Sequence, residues 1–135
     1  MHNQSLVPVE ARAPITSAEI NGLRSAAWPA VGPQDWDVVL SRSLGWVAAR
    51  ADQELVGFVN VAWDGGSHAF LLDIVVDPRL QRQGIGRRLV ERAAVMAREA
   101  GADWLHVDFE PGLHAFYDAC GFEPSDAGLL SLRQD

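Results

Sequence analysis

A glycine-containing segment with basic neighbours, Gln81-Arg82-Gln83-Gly84-Ile85-Gly86, lies between a strongly apolar run and a stretch with helical periodicity. The first N–H groups of a helix have no partner within it and carry the positive end of its dipole, so they bind anions. Gly84 and Gly86 lack side chains that would keep a phosphate from the backbone, and the neighbouring Arg87 and Arg88 can add charge-assisted hydrogen bonds. The segment predicts phosphate binding, with a plain strand-to-helix turn as the alternative.

The charge distribution points to the same place. The net charge is -7, but six of the eleven basic residues, all of them arginines, fall between positions 79 and 98, where Glu91 is the one acid. This window therefore carries +5, and the rest of the chain carries -12. An acidic body argues against general nucleic-acid binding, which needs an excess of basic residues. One basic segment indicates one local anionic ligand, or else an arginine-rich helix face in solvent.

The elements around the segment follow from hydrophobic periodicity. Residues 68–76 are nearly continuously apolar, which predicts a central strand buried on both faces, with Asp73 as its one acid. Apolar residues then recur at helical spacing through residues 85–100, and Gly101 is a natural helix end. Residues 104–109 predict another strand, and 111–120 predict a short helix.

The remaining elements complete an α/β pattern. Residues 7–13 predict a first strand, the capping box Thr16-Ser17-Ala18-Glu19 opens a helix toward Trp28, and residues 34–43 predict a second helix. Strands at 46–51 and 55–64 and a brief final strand at 128–132 are also predicted. Antiparallel hairpins followed by one parallel crossover favour a mixed three-layer α/β sheet in a single domain over residues 1–135.

Composition excludes several classes of protein. No apolar run approaches the roughly 20 residues that cross a bilayer, and the first residues do not resemble a signal peptide. Cys120 is the one cysteine, which favours a reducing, cytoplasmic location and is more typical of core packing than of a nucleophile. The histidines show no metal-ligand spacing, so no metal is expected.

Two motifs carry a family resemblance. The run Val76-Asp77-Pro78-Arg79-Leu80-Gln81-Arg82-Gln83-Gly84-Ile85-Gly86-Arg87-Arg88-Leu89 resembles the acetyl-CoA-binding motif of the GNAT superfamily of N-acetyltransferases. The run Phe116-Tyr117-Asp118-Ala119-Cys120-Gly121-Phe122 is similar to the second signature of that family, and Tyr117 follows Gly86 by 31 residues. The resemblance is good over residues 46–122 and weak in the first 45. It implies a GNAT-like α/β fold with a mixed central sheet of about six to seven strands and helices on both faces.

The resemblance also implies a cosubstrate, acetyl-CoA, and the residues that hold it. The pantetheine arm would add to the backbone of the central strand as an extra strand does, and the pyrophosphate would meet the amides of the glycine segment. The implied cofactor-binding residues are Ile74, Val75, Val76, Gln81, Arg82, Gln83, Gly84, Ile85, Gly86 and Arg87. The side chains of residues 74–76 would serve as core at the same time.

Tyr117, the one tyrosine of the chain, is implied to be the general acid that protonates the departing CoA thiolate. A free thiol has a pKa of about 8.5 and a tyrosine about 10, so the transfer is mildly uphill. The alternative is an aromatic side chain that packs its helix against the sheet.

Asp73 matches an acidic position of some of these enzymes, where it would accept the amine proton through a water or hold a cationic acceptor. The alternative is a structural carboxylate. Glu110 departs from the family, since an asparagine often stands seven residues before the tyrosine. Glu110 and Asp108 are therefore candidates for contact with the acceptor.

The predicted function is acetyl transfer from acetyl-CoA to a primary amine, with a small molecule favoured over a protein amine as acceptor. The alternative is a non-catalytic acyl-CoA sensor or interaction module of the same fold. Neither nucleic acid nor membrane is an expected partner, and a homodimer is compatible with the resemblance.

Overall fold

The computed structural model describes residues 6–134, and in them five strands form one sheet whose order follows the chain. The strands are β1 (Val9–Ala11), β2 (Gly45–Ala51), β3 (Glu54–Trp63), β4 (His68–Val76) and β5 (Trp104–Val107). Neighbours are antiparallel from β1 to β4, whereas β4 and β5 are parallel. A parallel pair needs a crossover, which the helix between them supplies.

Four α-helices accompany the sheet: α1 (Ser17–Ala27), α2 (Trp36–Ser41), α3 (Ile85–Glu99) and α4 (His114–Ala119). Single 3₁₀ turns, Pro78–Leu80 and Pro111–Leu113, precede α3 and α4. The capping box expected at Thr16 is formed, because its hydroxyl accepts from the Glu19 amide and the Glu19 carboxylate accepts from the Thr16 amide. Within residues 6–134 no helix is both long and apolar enough to cross a membrane.

The core has two parts, one on each face of the sheet. Helix α3 packs Ile85, Leu89 and Met96 against one face, and α1 and α2 pack Ile20 and Trp36 against the other. A Cβ added at Gly57 of β3 would lie 3.1 Å from the Leu89 Cδ1 and 3.2 Å from the Ile85 Cγ2. The close approach of α3 to the sheet therefore depends on this glycine. The predicted α/β class, with helices on both faces of a mixed sheet, is confirmed.

The prediction that residues 68–76 form the strand buried on both faces is wrong. The doubly buried strand is β3, which lies in the middle of the sheet between α1 and α3. In β4 burial alternates at first, with Ala69 and Leu71 in the core and Phe70 and Leu72 exposed. The helices α1 and α2 do not reach this part of the face, so an apolar sequence alone did not reveal which side is covered.

The sheet also has fewer strands than the six to seven expected. Residues 128–132, predicted as a final strand, have no strand partner in the described chain, and Leu129, Leu130 and Leu132 are exposed. A strand requires a neighbouring edge, and these residues do not lie against one.

Candidate active site

The parallel strands β4 and β5 pair over only part of their length. Their register runs from His68 opposite Trp104 to Leu71 opposite Val107, whereas β4 stays paired with β3 as far as Val76. Residues 72–76 therefore present one backbone edge that no described strand occupies. Such an edge can accept an extended ligand through main-chain hydrogen bonds.

A β-bulge lies at the point where the two strands separate. On the β3 side the register shifts between Asn60 opposite Leu72 and Phe58 opposite Val75. Asp73 has φ 60°, a left-handed conformation that is uncommon for a residue other than glycine. Bulges redirect a strand and end its pairing, which fits the loss of contact with β5 just beyond Leu71.

The side chains of the predicted pantetheine-binding residues belong to the core, as expected. Val75 is buried beneath α1, while Ile74 and Val76 are partly buried and pack on the α3 side. The bulge thus leaves the backbone edge open while the side chains remain anchored. A ligand on this edge would contact main-chain atoms of residues 74–76.

The edge leads directly into the N-terminus of α3. Gly84 is the N-cap residue with φ 80°, and no side chain caps the helix. The first helical bond runs from the Arg88 N–H to the Gly84 carbonyl at 3.1 Å. The N–H groups of Ile85, Gly86 and Arg87 have no hydrogen-bond partner within residues 6–134. Unpartnered amides at a helix start can bind an anion, and phosphate binding by the glycine segment stays a prediction.

The two glycines of the segment have different roles. A Cβ at Gly84 would meet no atom within 4 Å, so the space above the amides is open and the positive φ is what favours glycine there. A Cβ at Gly86 would lie 3.3 Å from the Phe116 Cζ and 3.7 Å from the Val76 Cγ2. Gly86 therefore allows α3, α4 and the end of β4 to pack closely, a role that its spacing alone did not show.

The basic residues of the window are not equivalent. The Arg79 guanidinium binds Asp77 at 2.7 Å and Glu54 at 2.9 Å, and it lowers the pKa of the Asp77 carboxyl below its usual value. Arg87 pairs with Glu91 at 2.9 Å. Among the described residues, Arg82 has no carboxylate partner. Arg82, with φ 66° in the loop itself, is thus available to an anion.

The side chain of Gln81 completes the junction. Its Nε2 lies 3.4 Å from the carbonyl oxygen of Val76, and it therefore ties the loop to the end of β4. Arg88 also lies in the first turn of α3, and its Nη1 is buried with no hydrogen-bond partner in the described chain. The loop holds its shape through backbone conformation and leaves donors unsatisfied.

Tyr117 lies in the core beside this junction, with 2% of its surface exposed. Phe109 stacks on its ring at a centroid distance of 4.5 Å, and Phe116 and Phe122 meet it edge-on. The hydroxyl makes no hydrogen bond to any described residue. Burial raises the pKa of Tyr117 above its usual value, with the nearby Cys120 as a smaller cause. The phenol therefore keeps its proton at neutral pH, as a proton donor requires.

The acidic candidates lie in solvent. Asp73 is exposed, so the buried strand environment that was expected around its carboxylate is absent. Asp108 follows β5 directly, one residue after the last paired position, where Val107 lies opposite Leu71. Glu110 is exposed as well. The structure brings Asp73 and Asp108 to the same end of the strand pair, at the mouth of the open edge.

A family model decides what kind of domain this is. The model described as "Acetyltransferase (GNAT) family" matches residues 15–122. The chain belongs to the GNAT acetyltransferase family. The resemblance found in the two motifs is thereby confirmed, and the match extends into the first 45 residues, where the motifs gave little support.

Individual relatives agree with this assignment. The GNAT chain is 40% identical over 58 residues to "Probable glucosamine 6-phosphate N-acetyltransferase 2" of Oryza sativa. The aligned segment covers 43% of this chain and 35% of that protein. A GNAT family acetyltransferase structure from Streptococcus pneumoniae is 25% identical with a TM-score of 0.78, covering 96% of this chain and 99% of that one. The alignments with the first curated relatives span from 32% to 47% of those proteins.

One further structure has the same fold with a ligand. The protein AAC(6')-Iy, in complex with the bisubstrate analogue CoA-S-monomethyl-acetylneamine, is 20% identical with a TM-score of 0.72. The match covers 95% of this GNAT chain and 99% of that protein. At this identity the likeness concerns the fold.

One cluster of the GNAT domain was missed by sequence reasoning. The Nδ1 of His68 and the Nε2 of His106 lie 2.8 Å apart, and the His106 ring stacks on Phe70 at 4.7 Å. The parallel register of β4 and β5, which places Phe70 opposite His106, was the information that the sequence lacked. Within residues 6–134 no group of three or more histidine, cysteine, aspartate or glutamate side chains could hold a metal.

Two hollows of the GNAT domain lie away from the α3 N-terminus. One of about 510 Å³ lies between α1 and the end of β4, where Glu19, Glu54 and Arg79 line it. Another of about 560 Å³ lies beside β1 and contains Arg50. Neither includes the residues 81–87. A phosphate at a helix end needs open amides rather than a deep cavity, so the candidate phosphate site is defined by its unsatisfied N–H groups and not by a hollow.

Proposed function

We propose that this protein is an acetyl-CoA-dependent N-acetyltransferase that acts on a primary amine, with Tyr117 as its general acid. One observation carries the proposal: an unpaired strand edge at residues 72–76 leads into unsatisfied amides at the start of α3. This combination suits a ligand with an extended amide-bearing arm and a pyrophosphate, and coenzyme A has both. Family membership supports the same chemistry.

The cofactor would be held mainly by backbone. Residues 74–76 offer main-chain groups to the pantetheine, and the amides of Gly84 to Arg87 offer donors to the pyrophosphate. Arg82 would add a charge-assisted hydrogen bond because no carboxylate neutralises it. Gln81 would hold the loop in place through the Val76 carbonyl.

In the reaction, the neutral amine attacks the thioester carbonyl carbon, a C–N bond forms, and the C–S bond breaks. Tyr117 gives its phenolic proton to the departing sulfur. An ordinary tyrosine is already less acidic than a thiol, and burial raises the pKa of Tyr117 further. The proton is therefore transferred late, as the C–S bond breaks and the sulfur gains negative charge. The amine proton leaves through water toward Asp73, which is exposed at the bulge.

The acceptor is proposed to be a small cationic amine, with a protein amine as the alternative. Asp73 and Asp108 are exposed at the mouth of the open edge, Glu110 is exposed two residues after Asp108, and the chain outside the arginine window is strongly acidic. These charges attract a protonated amine. The name of one relative contains an amino sugar, and the bisubstrate analogue bound to AAC(6')-Iy contains a neamine derivative, which supports a small amine as the acceptor. The proposed location is the cytoplasm, since Cys120 is the one cysteine.

The experiment combines binding with turnover. Coenzyme A at 100 times its dissociation constant should raise the free energy of unfolding by about 2.7 kcal/mol, measured by denaturant titration. A panel of amines with acetyl-CoA should release free thiol, detected with a chromogenic disulfide. Binding without thiol release across the panel would favour the sensor of the same fold, and no stabilisation at millimolar coenzyme A would refute the site itself.

A further inference from the structure

Asn60 is a buried polar residue of β3, with 2% of its surface exposed. Side chains alternate along a strand, so Asn60 lies on the same face as Phe58, which packs in the core with α1 and α2. A side-chain amide has two donor hydrogens and a carbonyl oxygen, and both ends lose water when the residue is buried. The partners that replace this water therefore decide the role of Asn60.

The oxygen end of the Asn60 amide is held by Ser43, which follows α2. The Ser43 Oγ lies 2.5 Å from the Asn60 Oδ1 and 3.1 Å from the Val39 carbonyl oxygen. A separation of 2.5 Å is typical of a short O–H···O bond and too short for an N–H···O bond. Ser43 therefore fixes the orientation of the amide and leaves the Nδ2 without a bond to it.

The Nδ2 of Asn60 donates to no acceptor within residues 6–134. In that part of the chain, the side-chain atoms that lack a partner and are also completely enclosed belong to Arg24, Arg88 and Arg92. Asn60 is not among them, so its unpartnered Nδ2 reaches the edge of the core. Buried donors are nearly always paired, and an open one is available to a ligand.

Asn21 of α1 is a saturated amide on the same side of the sheet. Its Nδ2 donates to the Gln34 carbonyl at 2.9 Å, and its Oδ1 accepts from the Gln34 amide at 3.0 Å and from the Trp36 Nε1 at 3.1 Å. These bonds tie α1 to the start of α2, which is a structural role. Asn60 has such a bond at its oxygen and lacks one at its nitrogen.

The open donor lies beside the bulge of β4. Asn60 pairs with Trp46 on β2 and with Leu72 on β4, and Leu72 is 42% exposed. Asp73 is the next residue of β4, so its Cα lies about 6 Å from the Asn60 Cα across the two strands. A donor and a carboxylate thus adjoin the start of the open edge at residues 72–76.

We propose that Asn60 determines which amines the enzyme accepts, because its Nδ2 donates a hydrogen bond to an oxygen close to the attacking nitrogen. The preferred acceptor is a primary amine with a hydroxyl or carbonyl oxygen on the carbon next to the amine-bearing carbon, as in an amino alcohol. An alkylamine of the same size leaves the buried donor unpaired, and such a site rejects analogues that lack its partner. The inference rests on the proposed function and specifies its acceptor.

Turnover of matched amines tests this assignment. Ethanolamine and propylamine have the same size and differ in one oxygen, and trans-2-aminocyclohexanol and trans-2-methylcyclohexylamine form a second pair. With saturating acetyl-CoA, wild-type kcat/KM should be at least about tenfold higher for the oxygen-bearing member of each pair. Asn60→Leu has a similar size and no donor, so it should bring the two values within about twofold by slowing the oxygen-bearing member.

Asn21→Leu is the matched control, because the amide of Asn21 is saturated within the chain. It should lower the melting temperature and keep the wild-type preference between the amines. An equal loss of kcat for both amines in Asn60→Leu would place Asn60 on the thioester, and a wild type without preference would leave its donor to water. Either result would overturn the inference while the proposed function stands, whereas no thiol release from any amine would refute the proposed function.

A binding measurement tests the inference even if Asn60→Leu does not fold or no amine is turned over. The chain contains three asparagines, Asn3, Asn21 and Asn60, so selective nitrogen-15 labelling gives three pairs of side-chain NH₂ signals in the NMR spectrum. The variants Asn3→Ser and Asn21→Ser identify two pairs and so assign the third to Asn60. With coenzyme A present, ethanolamine should shift the Asn60 signals and propylamine should not, and the Asn21 signals should stay in place. Asn60 signals that respond equally to both amines, or to neither, would overturn the inference whatever the turnover.

Discussion

The region where α1 packs on the sheet and the N-terminus of α3 differ in how their polar groups are satisfied. On the α1 side, the Arg50 guanidinium donates to the Glu19 carboxylate at 2.6 and 3.0 Å and also to the carbonyls of Pro14 and Gln53. At the α3 N-terminus, the amides of Ile85 to Arg87 have no partner among the described residues. Polar groups saturated within the chain contribute stability, and unsatisfied ones remain available to a ligand.

Backbone conformation differs between the start of α1 and the approach to α3. Helix α1 begins with a capping box of ordinary geometry. The β4–α3 junction contains Asp73, Arg82 and Gly84 at positive φ, with values of 60°, 66° and 80°. Strained residues cluster where function requires a fixed, unusual shape, and the packed core around them maintains it. The comparison predicts that changes in the first region lower stability and that changes in the second lower binding or turnover.

The largest effect is expected for Tyr117→Phe. General acid catalysis contributes about 10²- to 10⁴-fold, so kcat for thiol release should fall by about 1000-fold. Phenylalanine keeps the contacts with Phe109, Phe116 and Phe122, so the melting temperature and the affinity for coenzyme A should stay near wild type. Because the pKa of Tyr117 is raised, the phenol should keep its proton as the pH rises. The wild-type kcat/KM should therefore show no fall with rising pH until at least about pH 10. Unchanged turnover in the variant would assign Tyr117 to packing alone.

The next effect concerns the open amides. Gly84→Asp places a carboxylate at the anion site, and affinity for coenzyme A should fall at least about 100-fold by calorimetry. Gly101→Asp is the matched control, because Gly101 has φ 96° and also has no atom within 4 Å of an added Cβ. Both variants carry a left-handed strain of about 1 kcal/mol, yet only the first should lose binding. Equal losses in both would mean that helix stability, and not the amides, governs affinity.

A stability effect is expected on the α1 side. Hydrogen bonds from Arg50 lower the pKa of Glu19 from 4.5 to about 2. A carboxyl with a lowered folded-state pKa stabilises the fold at pH values above 4.5 and loses this contribution as the pH falls toward 2. Glu19→Gln should therefore lower the free energy of unfolding by about 2 kcal/mol at pH 7 and flatten its acid limb, with the affinity for coenzyme A unchanged. Equal acid sensitivity in wild type and variant would contradict this.

The sequence predicted well whatever depends on local chemistry. The capping box at Thr16 and the helix start at Ile85 follow from residue type and spacing, and the structure has them. The error about β4 had a different origin. Burial of Phe70 and Leu72 depends on how far α1 and α2 extend over the sheet, which no periodicity encodes.

The partnership of His68 with His106 and the separation of β4 from β5 depend on register across a crossover of about thirty residues. Local patterns do not determine such a register. Local patterns also do not show which arginine is free to bind an anion. Arg79 and Arg82 are alike in sequence, but in the fold Arg79 is paired with the carboxylates of Asp77 and Glu54.

The smallest expected effect is a difference in coenzyme A affinity between variants of Arg82 and Arg79. Arg82 lies in the loop without a carboxylate partner, so Arg82→Gln should weaken coenzyme A binding about tenfold through the loss of one charge-assisted hydrogen bond. Arg79→Gln should leave binding within about twofold, because its guanidinium is already held by Asp77 and Glu54. Its cost should appear instead as a small loss of stability, since Asp77 is buried and would lose its partner. Calorimetry should show the larger loss of affinity in Arg82→Gln, and denaturant unfolding should show the larger loss of stability in Arg79→Gln. If Arg79→Gln lost more affinity than Arg82→Gln, the bound phosphates would have to lie on the 3₁₀ turn at Pro78–Leu80 rather than on the amides of α3.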